Sequence, residues 1–112
     1  MQYEMKLDRK PFDKIKCGEK IYELRLNDEK RQKLRTGDTI KFTVTDETGE
    51  SIEKRVKNIY RFSDFTELYK ALPLKKCGYT DDTIHTASPK DMEKYYSKER
   101  QSRYGVLAIE VE

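Results

Sequence analysis

Near the C-terminus the chain reads Val106-Leu107-Ala108-Ile109, continuously apolar in a sequence of which 40% is charged. An alternating strand needs cover on one face only, whereas an unbroken apolar run suits a position buried on both. Tyr104 to Val111 therefore predicts a closing strand in a central position, and the rest of the chain must be arranged on either side of it.

Material for that cover is scarce. Hydrophobic residues make up 35% of 112, close to disordered composition, but eight tyrosines and four phenylalanines spread through periodic segments can close a small core. The length suits one domain spanning 1–112. With 24 basic and 21 acidic residues the net charge is only +3, so any basic surface must arise from local clustering. Cys17 and Cys77 accompany a single histidine, His85, in a spacing that matches neither a zinc site nor a disulfide framework. No metal and no cofactor is expected. No apolar run approaches the roughly 20 residues of a membrane span, and Met1-Gln2-Tyr3-Glu4 lacks the basic start of a secretion signal. The expectation is a soluble, cytoplasmic protein with no membrane partner.

Hydrophobic period organises most of the chain. Tyr3, Met5 and Leu7 alternate with charged residues as the inward face of a strand, and Arg9 to Cys17, with Pro11 in its first turn and Gly18 as its stop, reads as a helix. A strand over 20–26 follows, then a basic helical segment, Glu29 to Leu34, capped by Asn27-Asp28. The Gly37-Asp38 turn launches a strand with Ile40, Phe42 and Val44 inward. The connection 46–50 leads to a second strand, Ser51 to Phe62. Phe65, Leu68 and Leu72 form one stripe of a helix closed by Pro73. Residues 74–87 read as loop with one short helical turn, and Ser88-Pro89 opens a helix through Met92, Tyr95 and Tyr96. The sum is an α+β fold, a small curved sheet or barrel of five or six strands with inserted helices, an architecture with room for a groove.

The run Gly18 to Arg25 carries the charge most worth following. In strand period Glu23 and Arg25 share one face, while Tyr22, Leu24 and Leu26 take the other as the set a sheet would bury. Lys20 is out of phase unless the chain is still turning after Gly18, whose φ freedom allows it. The plainer alternative is an exposed ion pair worth under about 1 kcal/mol. Tyr95 and Tyr96 point about 100° apart on a helix, so at most one enters the core and the other is open to a cleft. Tyr104 starts the last strand and fits either role.

Several segments together resemble the ASCH (activating signal cointegrator homology) domain family of the PUA-like superfamily. They are Pro11 to Ile15, Gly18 to Arg25, Leu34 to Asp38, Phe65 to Leu68, and Tyr95-Tyr96 with Tyr104 to Leu107. The most specific is Gly-x-Lys-x-x-Glu-x-Arg, met at Gly18, Lys20, Glu23 and Arg25. The resemblance implies a PUA-like small β-barrel whose cleft gathers lysine, acid and arginine, and a role in binding RNA or a nucleotide-like ligand. Lys20 and Arg25 would meet phosphate, and Glu23 would accept from base or ribose or hold a metal or water. Tyr95, Tyr96 and Tyr104 would stack, and Arg9, Lys10, Lys14 and Lys16 would extend the basic surface. Lys30, Arg31, Lys33 and Arg35 form a second basic cluster for which solubilising charge is an equal alternative.

An enzymatic alternative attaches to the same resemblance, since some small proteins similar to this group hydrolyse acetylcytidine with a lysine, a threonine and a glutamate. Lys20 matches the lysine, but Glu23 stands where the threonine nucleophile belongs, and a carboxylate does not replace a lysine-activated hydroxyl. Cleavage of RNA phosphodiesters, with Lys20, Glu23 and Arg25 as catalytic candidates, is the other hydrolytic option.

Overall fold

The computed structural model describes residues 1–112. Five strands form one mixed sheet: β1 (Gln2–Leu7), β2 (Tyr22–Leu26), β3 (Thr39–Val44), β4 (Ser51–Phe62) and β5 (Val106–Val111), in the order β1-β3-β4-β5-β2. β1 runs parallel to β3 and the remaining pairs are antiparallel. β4 is the shared strand, for its first half pairs with β3 and its second half with β5, and the register slips between Val56 and Asn58. A bulge of this kind bends and twists a strand, and here it curls the sheet into a half-barrel with β1 and β2 as its two free edges.

β5 lies inside the sheet between β4 and β2, as its apolar run requires. Leu107, Ile109 and Val111 face a core of Met5, Leu7, Phe12, Ile15, Ile40, Phe42 and Val44, while Val106 and Ala108 face a second core of Leu24, Leu26, Phe65, Leu68 and Cys77. The first is the barrel interior, covered by helix α1 (Arg9–Cys17) through Phe12 and Ile15. The second is the outer face, covered by α3 (Phe65–Ala71), which follows the short α2 (Glu29–Gln32) in the chain. Asp64 caps α3 by accepting from the Glu67 N–H at 2.9 Å, and Leu72 turns extended ahead of Pro73. No helix is long and apolar enough to cross a membrane.

Four segments differ from the sequence expectation. β2 begins at Tyr22 because Lys20 and Ile21 are still outside the sheet, their N–H groups donating to the carbonyls of Lys14 (3.0 Å) and Lys76 (2.9 Å). Pro89–Lys94 is a 3-10 turn rather than an α-helix, opened by a capping box of Ser88 and Asp91, and two further 3-10 turns occupy 74–77 and 84–86. A fourth helix, α4 (Lys98–Tyr104), precedes β5, so Tyr104 ends a helix instead of starting the strand. Its N-cap Ser97 and its stop Gly105 are visible in the sequence. The segment between them buries only Gln101, so it has no apolar stripe to give it away.

Gly105 reverses the chain from α4 into β5 at φ 71° and ψ −175°, a region essentially restricted to glycine, and a Cβ there would lie 3.0 Å from the Phe62 carbonyl oxygen. Gly105→Ala is expected to cost about 1–3 kcal/mol in urea unfolding. A change below about 0.5 kcal/mol would mean that the turn relaxes freely.

Candidate functional site

The half-barrel is open along one side, between its edge strands, and the chain places charge in that seam. Glu23 pairs across the ladder with Ile109, and Arg25 with Leu107. Residues opposite one another share a face, so both project toward the barrel interior rather than toward water. Glu23 is only 4% exposed. Its Oε1 accepts from Lys20 Nζ at 2.8 Å and its Oε2 from Arg25 Nε at 2.8 Å, so each carboxylate oxygen is held by a different cation. Arg25 then spans the seam, its Nη2 donating to the Lys6 carbonyl of β1 at 2.9 Å. Lys20 reaches this arrangement from outside the strand. Its stem lies under Gly78, where a Cβ would stand 3.4 Å from Lys20 Cδ and where φ is 114°, so glycine is needed both for the turn and for the close approach.

Burial pushes the Glu23 carboxyl up, but the attraction and hydrogen bonds of Lys20 and Arg25 outweigh it and hold the group below its ordinary range. For Arg25, desolvation works against the charged form and Glu23 more than offsets it, raising its pKa. Glu23 and Arg25 thus both stay charged throughout the physiological range. The neighbouring Cys77 thiol is pushed up to about 11 by burial, only partly countered by Lys20.

The triad forms one wall of a cleft of about 810 Å³ between the β1–α1 junction, β2 and the segment from Cys77 to Tyr96. Seven cationic and three acidic side chains line it, a surplus of four that exceeds the +3 of the whole chain. Lys14 is steered across it by the Gly78 carbonyl at 2.7 Å, and Lys10, Lys90 and Lys94 stand exposed along its walls. Tyr96 packs its ring on Phe65, 6.2 Å away and 18° from parallel, and places its hydroxyl against Arg25. Tyr95 turns the other way, 57% exposed with the Lys94 ammonium 5.1 Å over its ring.

Of the residues singled out in the sequence, the structure therefore brings Lys10, Lys14, Lys20, Glu23, Arg25, Tyr95 and Tyr96 to one cleft. Arg9, Lys16 and Tyr104 do not line it, and Lys16 pairs with Glu50. Arg9 instead ties the β3–β4 connection to α1, pairing with Asp13 (3.1 Å), Asp46 (2.7 Å) and Glu50 (3.0 Å). Tyr104 packs at the margin of the outer core under the Arg103 guanidinium. In the second basic cluster Arg31 is paired with Asp28 at 3.0 Å, and none of its four members lines the cleft. The sequence reading missed Tyr79 and Asp91, both on the cleft wall and bonded to each other at 2.7 Å. Asp91 carried one signal, its place three residues after the cap Ser88.

A curved five-stranded mixed sheet with a cationic cleft at its seam defines a small barrel of the PUA-like class. The chain belongs to the ASCH domain family, whose profile matches residues 5–112. It is similar to the crystal structure of hypothetical protein PH0355, with 34% identity, a TM-score of 0.81, and 100% of this chain and 98% of the other covered. It is also similar to the solution NMR structure of protein PF0455 from Pyrococcus furiosus, at 32% identity and a TM-score of 0.73, over 100% and 96% of the two chains. No curated protein matches the chain.

Removing one member of a buried pair strands its partner's charge, whereas removing all members together avoids that penalty. Glu23→Gln is expected to cost about 3–5 kcal/mol, and the triple change Lys20→Met, Glu23→Leu, Arg25→Met to cost less than this single one, both read from denaturant unfolding. The folded protein holds the Glu23 proton more weakly than the unfolded chain, whose value stays near 4.5. Below about that pH the unfolded state therefore takes up protons first, and stability falls as pH drops through the depressed folded value. Glu23→Gln should flatten that part of the acid limb. An unchanged limb would show that another carboxylate governs it.

Proposed function

We propose that this ASCH domain binds RNA or a nucleotide-like ligand in the seam cleft, with Lys20 and Arg25 as fixed phosphate-facing cations. The observation that carries this reading is the concentration of cationic surplus in one concave site that also offers tyrosine faces. Glu23 acts here as the part that orients. It consumes one donor of Lys20 and the Nε–H of Arg25, leaving two further lysine N–H groups without a protein acceptor. A cation held by a buried carboxylate loses little side-chain freedom when a ligand arrives, which lowers the entropic cost of binding. Tyr95, exposed on the cleft wall, suits stacking on an unpaired base.

Hydrolysis finds less support in the same geometry. A general base works best with a pKa near the operating pH, and Glu23 is held below the carboxylate range with both oxygens occupied. Deacylation of acetylcytidine needs a hydroxyl activated by the lysine, and the acceptor that Lys20 meets is a carboxylate. Free thiols at Cys17 and Cys77 fit a cytoplasmic setting for the binding role.

Fluorescence anisotropy with short single-stranded RNA should show micromolar or weaker affinity that falls with salt, log K declining by about 0.7 per phosphate contact against log salt. Lys10→Ala and Lys94→Ala should each lower that slope by up to one contact, and the apolar triple change at Lys20, Glu23 and Arg25 should abolish binding while the chain stays folded. Salt-independent affinity would instead indicate an uncharged small molecule. Product from acetylcytidine or RNA, with or without divalent metal, would restore the hydrolytic reading.

A further inference from the structure

Among the cations of the cleft stands a carboxylate that none of them neutralises. Asp91 Oδ2 accepts from the Tyr79 hydroxyl at 2.7 Å and from the Ser88 N–H at 3.1 Å, and Tyr79 is itself held by the Tyr69 hydroxyl at 2.7 Å. These bonds fix the carboxylate's orientation. They also engage only one of its oxygens, whereas a carboxylate has about four lone-pair positions. Oδ1 has no protein donor. The capping box that Asp91 completes with Ser88 accounts for Oδ2 and requires nothing of Oδ1.

An acceptor-only group repels phosphate, so in a cleft with a cationic surplus it belongs to another part of the ligand; Asp8, the other carboxylate of the lining without a cation, is exposed at the β1–α1 junction and accepts from the Thr45 hydroxyl at 3.0 Å. We infer that Asp91 selects the base: the nucleobase donates from its Watson–Crick edge to Asp91 Oδ1, which favours guanine and disfavours uracil. Guanine presents adjacent N1–H and N2–H donors on that edge. Uracil presents one N3–H between two carbonyl oxygens that the carboxylate would repel, and adenine and cytosine each set an amino donor beside a ring acceptor. Tyr95 offers a stacking face on the same cleft, and Tyr79 serves as a positioning residue for the carboxylate. The inference rests on the nucleotide-binding reading of the cleft and adds its base preference.

The test is titration of the protein at low salt with GMP, AMP, CMP and UMP, followed by amide chemical shifts. GMP is expected to bind about tenfold tighter than UMP, the scale of discrimination one good base-edge contact gives. In Asp91→Asn the amide oxygen can keep the Tyr79 and Ser88 bonds while the amide nitrogen takes the place of Oδ1. That turns an acceptor into a donor, so the preference should shift from GMP toward UMP, an outcome that loss of structure alone would not give. Tyr79→Phe, which frees the carboxylate to turn, should narrow the GMP preference several-fold. Equal binding of all four nucleotides, or a GMP preference that survives in Asp91→Asn, overturns the assignment of Asp91 and leaves the cleft as a binding site. Failure of every nucleotide and of RNA to bind overturns both. If Asp91→Asn does not fold, the parental series and Tyr79→Phe decide alone.

Discussion

A carboxylate removed from water keeps its charge only when cations replace the solvent around it, and in this protein that replacement also joins the two ends of the sheet. Glu23 is held from both sides by Lys20 and Arg25, and Arg25 continues to the Lys6 carbonyl on the opposite edge strand. A five-stranded sheet curled into a half-barrel leaves β1 and β2 with unpaired backbone groups. One guanidinium bridges part of that gap without closing it. Seam and candidate site therefore share the same residues, and the cations cannot drift without loosening the barrel.

The remainder of the architecture holds this arrangement in place. The bulge in β4 supplies the curl that brings the edges near one another, and β5, buried on both faces, anchors β2 in register so that Glu23 and Arg25 face inward. The segment from Leu74 to Tyr96 has little regular structure and is pinned by individual bonds: Ile21 to the Lys76 carbonyl, Lys14 to the Gly78 carbonyl, and the chain Tyr69–Tyr79–Asp91. Each bond connects this wall to the entry of β2, to α1, to α3 or to its own turn. The wall can thus be both irregular and well placed. The placement of Tyr96 follows the same logic, its ring serving the outer core and its hydroxyl serving Arg25.

Local pattern was enough for most elements. Alternation in β1 and β3, the stripe Phe65–Leu68, the caps at Asp28 and Ser88, and the stop at Gly18 depend on neighbours within a few residues, and the structure places them accordingly. The misses share a cause. α4 buries only Gln101, so no hydrophobic period marks it, and Pro89–Lys94 buries no residue at all, so over six residues no apolar spacing separates a 3-10 turn from an α-helix.

The site divides in the same way. Strand period alone determined that Glu23 and Arg25 share a face opposite Tyr22, Leu24 and Leu26, and the glycine before Lys20 marked a chain still turning. That this face is the interior of a barrel was decided only by tertiary structure, because a strand's pattern distinguishes its two sides but cannot say which is covered when both are. Arg9 shows the converse, close to the site in sequence yet spent on Asp13, Asp46 and Glu50. Tyr79 and Asp91, more than fifty positions beyond the triad, reach the cleft because hydrogen bonds between distant segments fold that wall over the seam, and such bonds leave no periodic trace in a sequence.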